Sequence, residues 1–219
     1  MAAKLVVLTM LCFCVCANAQ TRPLVVYPGH GETLDSVATH SLEHELKRVM
    51  APAGIDLTWR GNADRTQTYQ ETGRIIVGSF AGSCSVETLS NAQAASPAKL
   101  ILAEASVSLG RVLPYFTVDC NRVVRTLIPM LQPLSPPMRQ TILGRALARV
   151  IAHEIYHILA ETIGHDDAGL AKAKLTFHDL TAPGVELSPA SLQRIRAAYR
   201  MESPAVPVVG LISLESHRH

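Results

Sequence analysis

From Met138 to Ile163 the chain contains no proline, and Gly144 is the only glycine. So long a stretch without a breaker suits one long helix and little else. Ser135 is a suitable N-cap, and Pro136 fits the first helical position, where its missing N–H costs nothing. At about 100° per residue, Leu143, Ala146 and Val150 share a face with His153 and His157, and Leu147, Ile151 and Ile158 widen it. Arg145, Arg149 and Tyr156 form a narrower polar stripe. A helix apolar over most of its circumference belongs at the centre of a fold, with the rest of the chain packed around it. Gly164 suits the left-handed position that closes a helix, which predicts a helix extending to Ile163.

The C-terminal part of this helix carries His153-Glu154-Ile155-Tyr156-His157. Histidines four apart project from one face and can bind one ion, and the glutamate between them lies beside it, close enough to take a proton from water. Imidazole ligands suit zinc best among the common divalent ions, so one Zn2+ is the expected cofactor, with Glu154 as its catalytic base. Two histidines leave the ion half coordinated. His165, just past Gly164, is the favoured third ligand, with Glu161, Asp166 and Asp167 as alternatives; either aspartate would otherwise orient a histidine from behind. The competing interpretation is a buried helix with two satisfied histidines. The capped helix and the third histidine after a turn glycine weigh against it.

Met1 to Gln20 reads as an export signal, with Lys4 as its positive region, Leu5 to Cys16 as its apolar stretch and Ala17-Asn18-Ala19 as the cleavage site. Cleavage after Ala19 removes Cys12, Cys14 and Cys16 and leaves Cys84 and Cys120, an even pair expected to form a disulfide in an oxidising compartment. The expected location is outside the cytoplasm, in the periplasm, at the cell surface or in the medium, with no stable membrane association once the signal is removed. The 20 basic and 18 acidic residues give a formal charge of +2, and loss of Lys4 brings it nearer balance. That offers no electrostatic case for nucleic acid. Three smaller features carry no chemistry. His40 and His44 are four apart but share a polar face with Lys47; Gly29-His30-Gly31 lacks the rest of a phosphate loop; and His217 and His219 belong to the tail.

Strands are expected at Leu24 to Tyr27, Ile55 to Trp59, Arg74 to Gly78, Lys99 to Ser106 and Arg111 to Val118, with Leu109-Gly110-Arg111 as a tight connection. A helix capped by Thr33 or Asp35 runs to about Met50, Val123 to Leu131 is helical, Pro129 to Pro137 separates it from the central helix, and Ala190 to Arg200 forms a last helix after Leu187-Ser188-Pro189. The fold class is therefore α+β: a mixed, twisted sheet of about five strands with an N-terminal helix, a long central helix and a C-terminal helix. The domain is expected to span 20–202, between a signal at 1–19 and a loose tail at 203–219.

The motif at 153–157 resembles that of the zincin metallopeptidases. The order of elements is similar to the metzincins, and within them to the matrixins, in which a mixed sheet precedes the metal-binding helix; Leu187-Ser188-Pro189 through Ile195 and Tyr199 looks like the closing helix of that group. The resemblance implies a secreted zinc-dependent peptidase with His153, His157 and His165 as ligands, Glu154 as base and a peptide or protein substrate held along an edge strand, for which Arg111 to Val118 is the expected segment. Two departures stand out. The metzincin pattern has glycine and histidine where this chain has Ala160 and Ile163, so His165 arrives two residues late, and Asp166 to Glu186 contains no methionine to underlie the metal. A non-catalytic exported module with a structural or decayed zinc site is the alternative.

Overall fold

The computed structural model describes residues 22–29, 34–61, 73–86 and 101–201. The segment expected to be an export signal, the segments around Gly61 to Gly73 and Ala81 to Pro97 beyond these bounds, and the tail with His217 and His219 lie outside the described residues. In order, the elements are β1 (Arg22–Pro28), α1 (Ser36–Met50), a 3-10 turn (Ala51–Ala53), β2 (Ile55–Trp59), β3 (Arg74–Ala81), β4 (Ala103–Ser108), β5 (Arg111–Asp119), α2 (Cys120–Leu131), α3 (Pro136–Leu159), α4 (Phe177–Thr181) and α5 (Pro189–Met201). This is the expected mixed α+β class.

The five strands form one sheet in the order β2-β1-β3-β5-β4. β1 pairs in parallel with β2 and β3, and β3 pairs in parallel with β5. Only β4 runs antiparallel, leading into the Leu109-Gly110 turn along the outer side of β5. This corrects the expectation for the edge strand. β5 lies inside the sheet because it pairs with β3 on one side and, across a two-residue turn, with β4 on the other, which leaves β4 at the edge.

Alternation along the strands sends Ile55, Leu57 and Trp59 and then Ile76, Gly78 and Phe80 into the core. Gly78 is paired across the ladder with Phe116, whose ring occupies the space that a Cβ at 78 would need. α1 and α3 pack on each other, α1 also meeting β2 and α3 meeting β4 and β5, and one core joins these elements to α2 and α5. Asp35 caps α1 by accepting from the Val37 N–H at 2.8 Å. His40 and His44 are exposed, in keeping with a solvated face.

Three helical features refine the sequence reading. α2 starts at Cys120, where Asp119 accepts from the Arg122 N–H at 3.0 Å, and it runs through Pro129 to Leu131. A proline near the last turn removes one hydrogen bond without ending the helix. The polar stripe of α3 is buried at Arg149 and Tyr156. Arg149 is 1% exposed, with its Nε donating to Glu45 of α1 at 2.7 Å and its Nη1 to the Asp179 carbonyl at 2.8 Å. Tyr156 is fully buried, and its hydroxyl accepts from Arg194 of α5 at 3.0 Å. Finally, α3 stops at Leu159. The left-handed residue that turns the chain is Glu161, at φ 49°, rather than Gly164. Arg74 from β3 holds this end by donating to the Ile158 carbonyl at 3.4 Å and lying 3.6 Å from the Glu161 carboxylate.

Candidate metal centre

The last two turns of α3 place His153 and His157 on one face, and the reversal at Glu161 brings His165 back over them. The three rings form a near-equilateral set, with centroids 4.8 Å (His153–His157), 4.8 Å (His157–His165) and 5.3 Å (His153–His165) apart. One ligand nitrogen from each lies within 4.8 Å of the other two, and among the described residues this is the one group of three metal-ligating side chains so placed.

The two helical rings are held by backbone acceptors. His153 Nδ1 lies 2.7 Å from the Leu170 carbonyl, and His157 Nδ1 lies 2.8 Å from the Thr162 carbonyl. A carbonyl can only accept, so each Nδ1 carries the hydrogen and each Nε2 presents a bare lone pair. Those two Nε2 atoms face each other at 3.1 Å. Two lone pairs that close repel unless a cation lies between them. Two imidazole nitrogens bound tetrahedrally to one zinc at ~2.0–2.1 Å would be roughly 3.3 Å apart. A proton could not take the cation's place readily. Burial pulls His153 down to about 4, opposed by the Leu170 bond and reinforced by the other two histidines, and burial likewise lowers His157. The donor set, its tautomers and its spacing therefore fit a metal ion.

Glu154 faces the sheet side of the helix and is 4% exposed. Burial pushes its carboxyl up to about 7; the Ala105 N–H of β4 bonds it and opposes the rise, while the charge of Glu104 adds to it. A carboxyl near neutrality can take up and release a proton at working pH. His165 is exposed and His157 is buried, so the centre opens to solvent on the loop side.

The alternative ligands point elsewhere. Glu161 faces Arg74. Asp166 accepts from the hydroxyls of Ser188 and Ser191, the latter at 2.6 Å, and these bonds hold its carboxyl below the usual range. Asp167 is exposed and joins no such cluster. In the loop that follows His165, Leu170 and Ala171 are fully buried, and the Leu170 carbonyl is the acceptor behind His153. Sequence reasoning missed the carbonyls of Thr162 and Leu170 and the Ala105 N–H, because backbone groups leave no mark on residue type. It also missed the Asp166 contacts, for which Ser188 three residues before Ser191 was a readable capping signal. Away from the centre, Cys84 and Cys120 are joined in a buried disulfide with Cα atoms 4.7 Å apart, the pairing the sequence led one to expect.

Compared with protein-family models, with curated proteins and with solved structures, the chain matches none of them.

Proposed function

We propose that this chain is an exported zinc-dependent peptidase of the zincin kind, metzincin-like in pattern. The observation that carries the proposal is the convergence of two bare Nε2 atoms at 3.1 Å under a third histidine, with a buried carboxyl as the next residue on the helix. His153, His157 and His165 would hold the ion. Bound zinc supplies a Lewis acid that polarises a carbonyl and lowers the pKa of water towards about 7.

The chain's own groups do the rest. Glu154 takes the proton of the attacking water as the oxygen adds to the peptide carbonyl carbon, and it delivers that proton to the amine nitrogen as the C–N bond breaks. Its position beside β4 supports a peptide substrate. Among the described residues β4 is an edge strand that pairs with β5 alone, so an extended peptide can add along the free side of the strand whose Ala105 N–H bonds Glu154. Among the described residues no helix is long and apolar enough to cross a membrane.

The test is elemental analysis together with cleavage of denatured protein and a peptide library. One zinc per chain is expected in the wild type and in Glu154→Gln, with turnover in the variant lower by about 10²–10⁴-fold. Full activity in Glu154→Gln overturns the mechanism. A zinc-loaded wild type that cleaves none of these substrates overturns the peptidase reading in favour of a structural zinc site.

A further inference from the structure

His165 and the Leu170 carbonyl belong to one small loop, and this loop is what the third ligand depends on. It closes on itself through the Asp166 N–H, which donates to the Ala171 carbonyl at 2.8 Å. Its far end is tied to the segment leading into α5, since the Leu170 N–H donates to the Glu186 carbonyl at 2.9 Å and Gly169 bridges Leu187. The loop thus delivers a ligand at one end and, at the other, the acceptor that sets the tautomer of His153.

The Asp166 side chain does not face the histidines. It enters the N-terminus of α5, where Oδ2 accepts from both the Ser188 and the Ser191 hydroxyls, while Arg194, one turn on, lies 3.6 Å from Oδ1. Ser188 also accepts from the Ser191 N–H at 3.0 Å, so it caps the helix and anchors the aspartate together. An anion at this end of a helix is favoured by the helix dipole as well as by the hydroxyls. Arg194 reaches back to the Tyr156 hydroxyl, on the residue before His157. The first turn and a half of α5 therefore grips both the ligand loop and the ligand helix.

Resting on the metal-centre reading above, we propose that Asp166 is a positioning residue that locks the 165–171 loop onto α5, so that Ser188 and Ser191 set zinc affinity although neither belongs to the ligand set. Partners of this kind behind a ligand are typically worth about 10–100-fold in affinity.

The experiment measures zinc affinity by competition with a chromophoric chelator, and the absorption of the cobalt-loaded protein, for the full-length wild type, Asp166→Ala, Asp166→Asn, Ser188→Ala/Ser191→Ala and His165→Ala, each checked for folding by circular dichroism. Asp166→Ala and the double serine variant should lose about 10–100-fold and show altered cobalt bands, with Asp166→Asn in between because it keeps one acceptor oxygen. Asp166→Ala combined with His165→Ala should lose less than the sum of the two, since the clamp acts largely through that ligand. Should Asp166→Ala fail to fold, the double serine variant, which leaves the loop sequence intact, carries the test. Wild-type affinity in the folded clamp variants overturns the inference alone; a wild type that binds no zinc overturns the metal centre itself.

Discussion

His153 and Glu154 are neighbours on one turn of α3, and burial moves their protonation equilibria in opposite directions. In the metal-free protein His153 falls from 6.5 to about 4, so the unfolded chain binds more protons between those values and stability drops as pH falls through them. Glu154 rises from 4.5 to about 7, so its contribution is present below pH 4.5 and is lost as pH climbs through 7. The two nearly cancel across the overlap. Glu154→Gln removes one arm. In the presence of a chelator it should be more stable than the wild type by about 3 kcal/mol at pH 8, with the advantage vanishing below about pH 5. Denaturant titrations at several pH values measure this, and a gain that does not change with pH would contradict it. The histidine spacing was legible because side chains four apart on a helix must share a face. The left-handed turn at Glu161 was not, because a glutamate held by Arg74 adopts a conformation for which glycine is the usual signal.

α1 and α3 meet most closely at Gly144, where an added Cβ would run into the Ala38 carbonyl and would sit 2.8 Å from Ser41 Cβ. The contact is fastened by the Ser41 hydroxyl, which donates to the Thr141 carbonyl at 2.8 Å. By helix propensity alone Gly144→Ala should stabilise α3 by roughly 0.8–1 kcal/mol. The backbone contact reverses the sign. The variant should be destabilised by about 1–3 kcal/mol in urea unfolding, and a gain in stability would show that the helices can separate freely. The apolar period of α3 was readable as a buried helix. Which element would cover its polar stripe was not, because Glu45 lies 104 residues from Arg149 in sequence and only packing brings them together. The edge strand was misread for the same reason: strand order is a property of pairing, and the local pattern of β5 is compatible with either an edge or an inner position.

Over the whole molecule, the Cys84–Cys120 bridge ties the segment just after β3 to the start of α2 and closes a separation of 36 residues. Chain entropy assigns a loop of that size about 4 kcal/mol of stabilisation. Cys84→Ala/Cys120→Ala, or the reduced wild type, should therefore melt roughly 10 °C lower than the oxidised protein by calorimetry. An unchanged melting temperature would mean that the loop is equally constrained without the bridge. The C-terminal helix is fastened at several points: Tyr199 donates to the Pro23 carbonyl at 2.9 Å, Arg194 to Tyr156, and Ser191 to Asp166. It thereby joins the first strand of the sheet to the loop that carries His165.

The sequence by itself determined the α+β class, the central helix, the pairing of His153 with His157 and the Cys84–Cys120 pair, because each rests on periodicity or counting along the chain. Tertiary structure alone decided where the helix ends, which strand lies at the edge, how His165 returns to its partners and what holds it there. Those features depend on backbone carbonyls, a strained glutamate and side chains from α5. Their partners are distant in sequence and of ordinary residue type, so nothing local announces them.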